Sequence, residues 1–259
     1  MSFNDFKPID LTTAFSLAEK AAKSKSPKAK FILDHTVDKT QREYLNLSYA
    51  YLRWVDDFID NPLISIDEKI KFIQRQKYLI NQCSKKLFVE HEQPGEAFLF
   101  YFFEYANKND RSILIRAIEK MVEAIEMDVE RLKSDGTFTE ADLNFYINTQ
   151  SKALYDIIIY FFLPSQYHSV KNVQTGRFQA RVFMMRDIIE DIDAGLINIS
   201  REDIKEFKLD LNCIKEKRNL EHWVEKESKR ILQLLLEEAQ EANLFPLGRK
   251  GHPLRTVRC

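Results

Sequence analysis

The sequence predicts an all-α protein folded as one helical domain, and three observations predict it. First, the 259 residues contain only six glycines and seven prolines, less than half of the roughly 12% that average usage would give the two together. Sandwiches, barrels and doubly wound sheets need frequent glycine turns, so this scarcity of breakers argues for long uninterrupted helices. Second, Ser65-Ile-Asp-Glu68, Thr139-Glu-Ala-Asp142 and Ser200-Arg-Glu-Asp203 read as capping boxes. Third, apolar residues recur at helical spacing between these punctuation marks.

The elements follow in order. Helices are predicted over 10–24, 40–61, 65–85, 94–107, 111–133, 139–163, 168–194, 200–208 and 215–243. Pro62 stands before the third and Pro164 after the sixth, each marking a break. The run Phe98-Leu-Phe-Tyr-Phe-Phe103 in the fourth reads as core. The last helix places Leu220, Trp223, Val224, Ile231, Leu234 and Leu235 on one side and its charges on the other, a surface helix with a core stripe. No repeat or low-complexity linker divides the chain, so 1–245 reads as one domain. Residues 246–259 hold Arg249, Lys250, Arg255 and Arg258 and no acid. They read as a basic, solvated tail, with contact to an anionic membrane surface as the sharper alternative.

Composition excludes several functions. With 44% hydrophobic and 31% charged residues the chain is globular. A formal charge of −1 points to no nucleic-acid partner. Cys83, Cys213 and Cys259 are odd in number and far apart, which fits a reducing, cytoplasmic setting and neither a disulfide framework nor a zinc cluster. The N-terminus lacks the apolar stretch of a secretory signal. The longest apolar run, 157–163, falls far short of the ~20 residues of a membrane span. His35, His91, His168, His222 and His252 show no metal-ligand spacing, and no Walker A pattern, Rossmann glycine fingerprint or nucleophile elbow occurs.

Two segments stand out. Residues 45–61, LNLSYAYLRWVDDFIDN, are apolar on every face yet carry Asp56, Asp57 and Asp60. Residues 182–192, VFMMRDIIEDI, show the same pattern with Asp187, Glu190 and Asp191. A helix apolar all round is expected to be buried. Asp56 and Asp60 are one turn apart and share a face, as do Asp187 and Asp191. Like charges at that spacing cost ~0.2–0.5 kcal/mol on an open helix, and burial raises the cost. Protonation, the neighbouring Arg53 and Arg186, or a divalent cation would each relieve it. Oxygen-rich clusters suit Mg²⁺, which prefers a few carboxylates together with substrate phosphates. If the two helices face each other, the six acids ring one cavity, and its Tyr, Trp and Phe walls suit a hydrocarbon tail behind a diphosphate.

These residues resemble the squalene/phytoene synthases, the head-to-head branch of the trans-isoprenyl diphosphate synthases. Tyr49-Ala-Tyr-Leu-Arg53-Trp-Val-Asp56-Asp57-Phe-Ile-Asp60 is similar to that family's first aspartate-rich motif, and Arg186-Asp187-Ile-Ile-Glu190-Asp191-Ile-Asp193-Ala-Gly195 to its second. Met127-Asp128, Thr139 and Tyr146 match the run before the family's central helix. The resemblance spans roughly 40–210. It implies an isoprenoid synthase bundle with a central cavity. It implies Asp56, Asp57, Asp60, Asp187, Glu190 and Asp191 as ligands of Mg²⁺, with Mn²⁺ as a substitute. Asp56, Asp60, Asp187, Asp191 and Tyr146 are the implied catalytic set, and Arg53, Arg186, Lys152, Tyr49 and Phe183 the implied substrate contacts. The implied reaction condenses two prenyl diphosphates through ionisation and carbocation chemistry, with NADPH an open requirement. A monomer or homodimer, with or without peripheral membrane contact, fits equally.

The chain also departs from the family pattern. Phe183 stands where the family has Asn, three residues before the arginine of motif two. The central helix, Tyr-Cys-x-x-Val-Ala-Gly with a further Gly in the family, here reads Tyr146-Ile-Asn148-Thr149-Gln150-Ser151-Lys152, then Tyr155. A tyrosine found shortly after the Tyr146 position in some members is replaced by Asn148 and Thr149. Lys30-Phe31 stands in place of an early Ser-Phe pair. Lys152 and Tyr155 are expected to fill or reshape space that small residues leave open. That motivates a terpene cyclase acting on one prenyl diphosphate as the first alternative, and a non-catalytic partner protein as the second.

Overall fold

The computed structural model describes residues 9–25, 34–87, 93–108, 111–162, 176–210, 212, 214 and 220–244. The basic tail, Lys30-Phe31, Pro164, Cys213 and the starts of the predicted helices at 168 and 215 lie outside the described residues. Within them, nine helices run in order: α1 Leu11–Lys25, α2 Lys39–Ile59, α3 Ile66–Ser84, α4 Pro94–Lys108, α5 Ser112–Leu132, α6 Glu140–Phe162, α7 Arg177–Asp193, α8 Arg201–Glu206 and α9 Glu221–Leu244. No strand occurs among the described residues; one parallel bridge joins Thr137 and Ile197. The fold is all-α, as the scarcity of breakers predicts.

The helix starts are fixed by local chemistry. Ser65 and Glu68 form the reciprocal box, each side chain accepting the other's backbone N–H. Thr139 Oγ1 accepts from the Asp142 N–H at 3.1 Å, and Ser200 Oγ from the Asp203 N–H at 3.1 Å. The end of α7 is equally specific. Gly195 adopts φ +85°, and the Leu196 N–H donates back to the Asp191 carbonyl at 2.8 Å. This Schellman turn stops the helix one residue past Asp193 and sends the chain back along the α5–α6 connection. There the Ile197 N–H donates to the Gly136 carbonyl at 2.8 Å.

Apolar burial gathers into two clusters. The larger packs α1 to α5 together with part of α6, around Tyr51, Ile59, Phe102, Phe103, Ile118 and Phe161. Phe98, Leu99, Phe102 and Phe103 are buried in it, so the aromatic run is core as predicted. The smaller joins α6, α7 and the start of α9 through Ile147, Met184, Ile188, Ile192, Ile199 and Trp223. α6 contributes to both. The functional cavity opens along the seam between them.

Two sequence expectations fail here. The segment 182–192 is not buried all round: Met184, Ile188 and Ile192, spaced about one turn apart, form a stripe against the smaller cluster, while Val182, Phe183 and Ile189 are exposed. Its remaining faces border the cavity and solvent. The stripe of α9 is likewise split, with Trp223 buried but Val224 and Leu235 exposed. Among the described residues, no helix is long and apolar enough to cross a membrane.

Candidate active site

A cavity of about 540 Å³ lies between α2, α5, α6 and α7, within the range of small-molecule sites. α2 presents Arg53, Asp56 and Asp60 to it, and α7 presents Arg186, Asp187, Glu190 and Asp191. The spacing of one helical turn therefore does what the sequence predicts: each pair shares a face, and both faces open on one space. The remaining wall comes from Asp128 and Arg131 of α5, Tyr146, Gln150, Ser151 and Tyr155 of α6, and apolar Met121, Leu154, Phe183 and Met184.

The electrostatics confirm that the acids crowd. Burial pushes the Asp56 carboxyl well above the usual carboxylate range, and Asp60 adds to the shift. Burial does the same to Asp60, reinforced by the charges of Asp128 on α5 and Asp191 on α7. Asp191 is pushed up to about 7, chiefly by burial, against the hydrogen bond it accepts from Asn198 at 2.6 Å. Acids on three helices thus feel one another across the cavity, a surplus of negative charge that the arginines only partly offset. Arg53 reaches Asp56 at 3.0 Å and Asp57 at 2.7 Å. Arg186 grips Asp187 with two hydrogen bonds of 2.5 Å and stacks over the Phe183 ring at 4.8 Å. Among the described residues, Asn198 Oδ1 and Arg53 Nε are buried without a hydrogen-bond partner.

Three sequence-predicted site residues stand elsewhere. Asp57 is exposed and faces Arg53, not the cavity. Lys152 is not on the lining and pairs with the buried Asp156 at 2.9 Å. Tyr49 is not on the lining, although its field reaches Arg53. Tyr146 does line the cavity. Its hydroxyl donates to Asp128 Oδ2 at 3.1 Å and accepts from Gln150 Nε2 at 3.3 Å.

Sequence reasoning missed the group below Tyr146. Asp128 and Arg131 are 4% and 5% exposed. They pair through Arg131 Nη2 at 2.7 Å and Nε at 2.9 Å, both to Asp128 Oδ1. The guanidinium lies over the Phe138 ring at 4.3 Å. In sequence this is an ordinary acid–base pair one turn apart; only the packing of α6 over α5 makes it a buried ion pair. The signal for Asp128 was the match of Met127-Asp128 to a family run; the hold of Asn198 on Asp191 comes from the turn after α7.

The chain matches the family model described as squalene/phytoene synthase over residues 35–246. Among solved structures it is similar to a dehydrosqualene synthase crystallised with a ligand, at 17% identity and a TM-score of 0.67, covering 90% of this chain and 78% of that one. It is also similar to the squalene synthase HpnC from Alicyclobacillus acidocaldarius, at 17% identity and a TM-score of 0.64, covering 93% and 87%. No curated protein matches its sequence. The structural likenesses establish a shared fold, and the family match, extending over most of the chain and both aspartate-bearing helices, establishes the lineage: this protein belongs to the squalene/phytoene synthase family.

Proposed function

We propose that the chain is a Mg²⁺-dependent prenyltransferase that condenses two prenyl diphosphates head to head. The observation that carries the reading is the pair of aspartate couples, on α2 and α7, opening on one cavity whose acids outnumber its cations. The donor set fits the ion: every candidate ligand is a carboxylate oxygen, the chemistry Mg²⁺ and Mn²⁺ prefer. Among the described residues no three acids converge closely enough to hold an ion alone. That agrees with a cation held by one or two carboxylates, waters and the substrate's own phosphates. Asp56 and Asp60 would hold it from one side, Asp187 and Asp191 from the other, with Glu190 beside them. When bound, the ion supplies the Lewis acidity that stabilises charge on a departing diphosphate.

The chain's own residues account for the rest. Arg186 and Arg53, both on the cavity lining, would meet the diphosphate, and each rests on an aspartate that a metal would claim. Asn198 holds Asp191 in orientation. Tyr146 and Phe183 face the cavity, where aromatic faces stabilise an allylic cation by ~0.5–2 kcal/mol each. Met121, Leu154 and Met184 exclude water that would quench it. The cyclase reading keeps one supporting observation, Tyr155 in the cavity, but Lys152 takes no space there. The non-catalytic reading leaves the buried acids without a purpose.

The test is diphosphate release from farnesyl diphosphate with Mg²⁺. Asp56→Ala and Asp187→Ala should each lower it at least about a hundredfold while the helical circular-dichroism signal is kept. Wild-type turnover by either variant would remove the metal assignment.

A further inference from the structure

The residues lining the cavity extend along α6 and α7, and those at the two ends differ in chemistry. At one end α7 carries Asp187 and Asp191, and α6 carries Tyr146 over Asp128. At the other end stand Tyr155 of α6 and Gly176, the N-cap of α7. At ~1.5 Å per residue, Gly176 lies roughly 16 Å from Asp187 and roughly 22 Å from Asp191 along α7. On α6, Tyr146 and Tyr155 are roughly 14 Å apart by the same measure. α6 and α7 run in opposite senses here, so both helices place Tyr155 at the end remote from the acids.

Tyr155 is held in that position from two sides. Its hydroxyl donates to Gln179 Oε1 at 2.7 Å, one turn into α7. Its ring lies close against Gly176: a Cβ built on Gly176 would fall 2.2 Å from Tyr155 Cε2. Gly176 has φ +91°, so its backbone and its lack of side chain both suit the close approach. Tyr155 is also a departure of this chain, standing where the family pattern carries a small residue. A large, tethered ring replaces open space at the tail end of the cavity.

We infer that Tyr155, clamped by Gln179 and seated on Gly176, is the end wall that sets the longest prenyl tail this protein accepts. The inference rests on the prenyl diphosphate reading of the same cavity. It makes Tyr155 a specificity-determining residue, remote from the bond-breaking atoms. The ring's bulk does the work, and the hydroxyl only fixes its orientation.

The experiment is calorimetric binding of the non-ionisable thiodiphosphate analogues of geranyl, farnesyl and geranylgeranyl diphosphate, in Mg²⁺ buffer, so that no turnover is needed. Tyr155→Ala should raise the affinity for the geranylgeranyl analogue relative to the farnesyl analogue by at least about tenfold, the scale on which a pocket rejects extra methylenes. Tyr155→Phe should keep the wild-type ratio. Tyr155→Leu, which still packs on Gly176, should shift the ratio in the same direction by less, and it serves if the alanine variant does not fold by circular dichroism. An unchanged ratio in Tyr155→Ala or Tyr155→Leu overturns the inference, and so does a parallel weakening of all three analogues. Wild-type diphosphate release with an unmoved ratio sinks this inference alone. Failure of every analogue to bind the wild type sinks it together with the proposed function.

Discussion

Replacing Arg131 by Met tests how the floor of the cavity is held together. Arg131 and Asp128 are both about nineteen-twentieths buried, and the carboxylate also accepts from Tyr146. Burial pushes the Asp128 carboxyl upward even with Arg131 lowering it. The pair therefore does not recover the full cost of its own desolvation. Removing one partner leaves a buried charge uncompensated, which costs about 3–5 kcal/mol. For a chain of this size that is a fall in Tm of roughly 6–20 °C. Asp128→Asn keeps an acceptor for Tyr146 but strands the guanidinium, so it should cost a similar amount. The double variant Asp128→Asn/Arg131→Met removes both charges and keeps the acceptor. It should recover most of the loss, since apolar or neutral replacements of buried pairs are often neutral or better. Urea unfolding of the four proteins at pH 7.5 measures this. If Arg131→Met loses less than ~1 kcal/mol, or if the two single losses simply add in the double variant, the buried pair is not what holds the floor.

The remaining predictions follow from the same geometry. Asp56, Asp60 and Asp191 bind protons more tightly in the fold than in the unfolded chain, where a carboxyl titrates near 4. Between pH ~4 and ~7 the folded state then holds more protons, so stability falls as pH rises through that window. Metal-free protein should melt at a lower temperature at pH 8 than at pH 5.5, and added Mg²⁺ should restore more at pH 8; a Tm that climbs steadily over this range without metal would contradict the assigned burial of the acids. Gly136 has φ +79° and leaves only 2.1 Å between a built Cβ and the Gly195 carbonyl oxygen. Gly136→Ala should cost at least about 2 kcal/mol in urea unfolding, from backbone strain plus displacement of the turn that ends α7. A loss under half that would mean the turn moves freely.

The legible part of this protein was local. Scarce glycine and proline fixed the class, the Ser65, Thr139 and Ser200 caps fixed three helix starts, and the one-turn spacing of the aspartates fixed which face of α2 and α7 carries the chemistry. What the sequence hid depends on direction and on partners far along the chain. Lys152 and Tyr155 are near neighbours on α6, yet one pairs with Asp156 off the lining and the other lines the cavity. Nothing in their composition distinguishes the two; the packing of α6 on α5 and α7 does. The segment 182–192 looked apolar on all sides because Val182 and Ile189 are apolar yet stand exposed, off both the core and the cavity lining. Arg131 drew no notice because its burial comes from Phe138 in the α5–α6 connection and Tyr146 on α6, whose rings its guanidinium faces.

The most direct test of the central claim is product analysis. Purified protein would be incubated with geranyl, farnesyl or geranylgeranyl diphosphate, with and without Mg²⁺ and with and without NADPH, and released diphosphate and extracted hydrocarbons measured together. The account predicts Mg²⁺-dependent release and a hydrocarbon of twice the substrate's chain length. A cyclic or alcohol product from a single prenyl unit, or no release from any of the three, would contradict it.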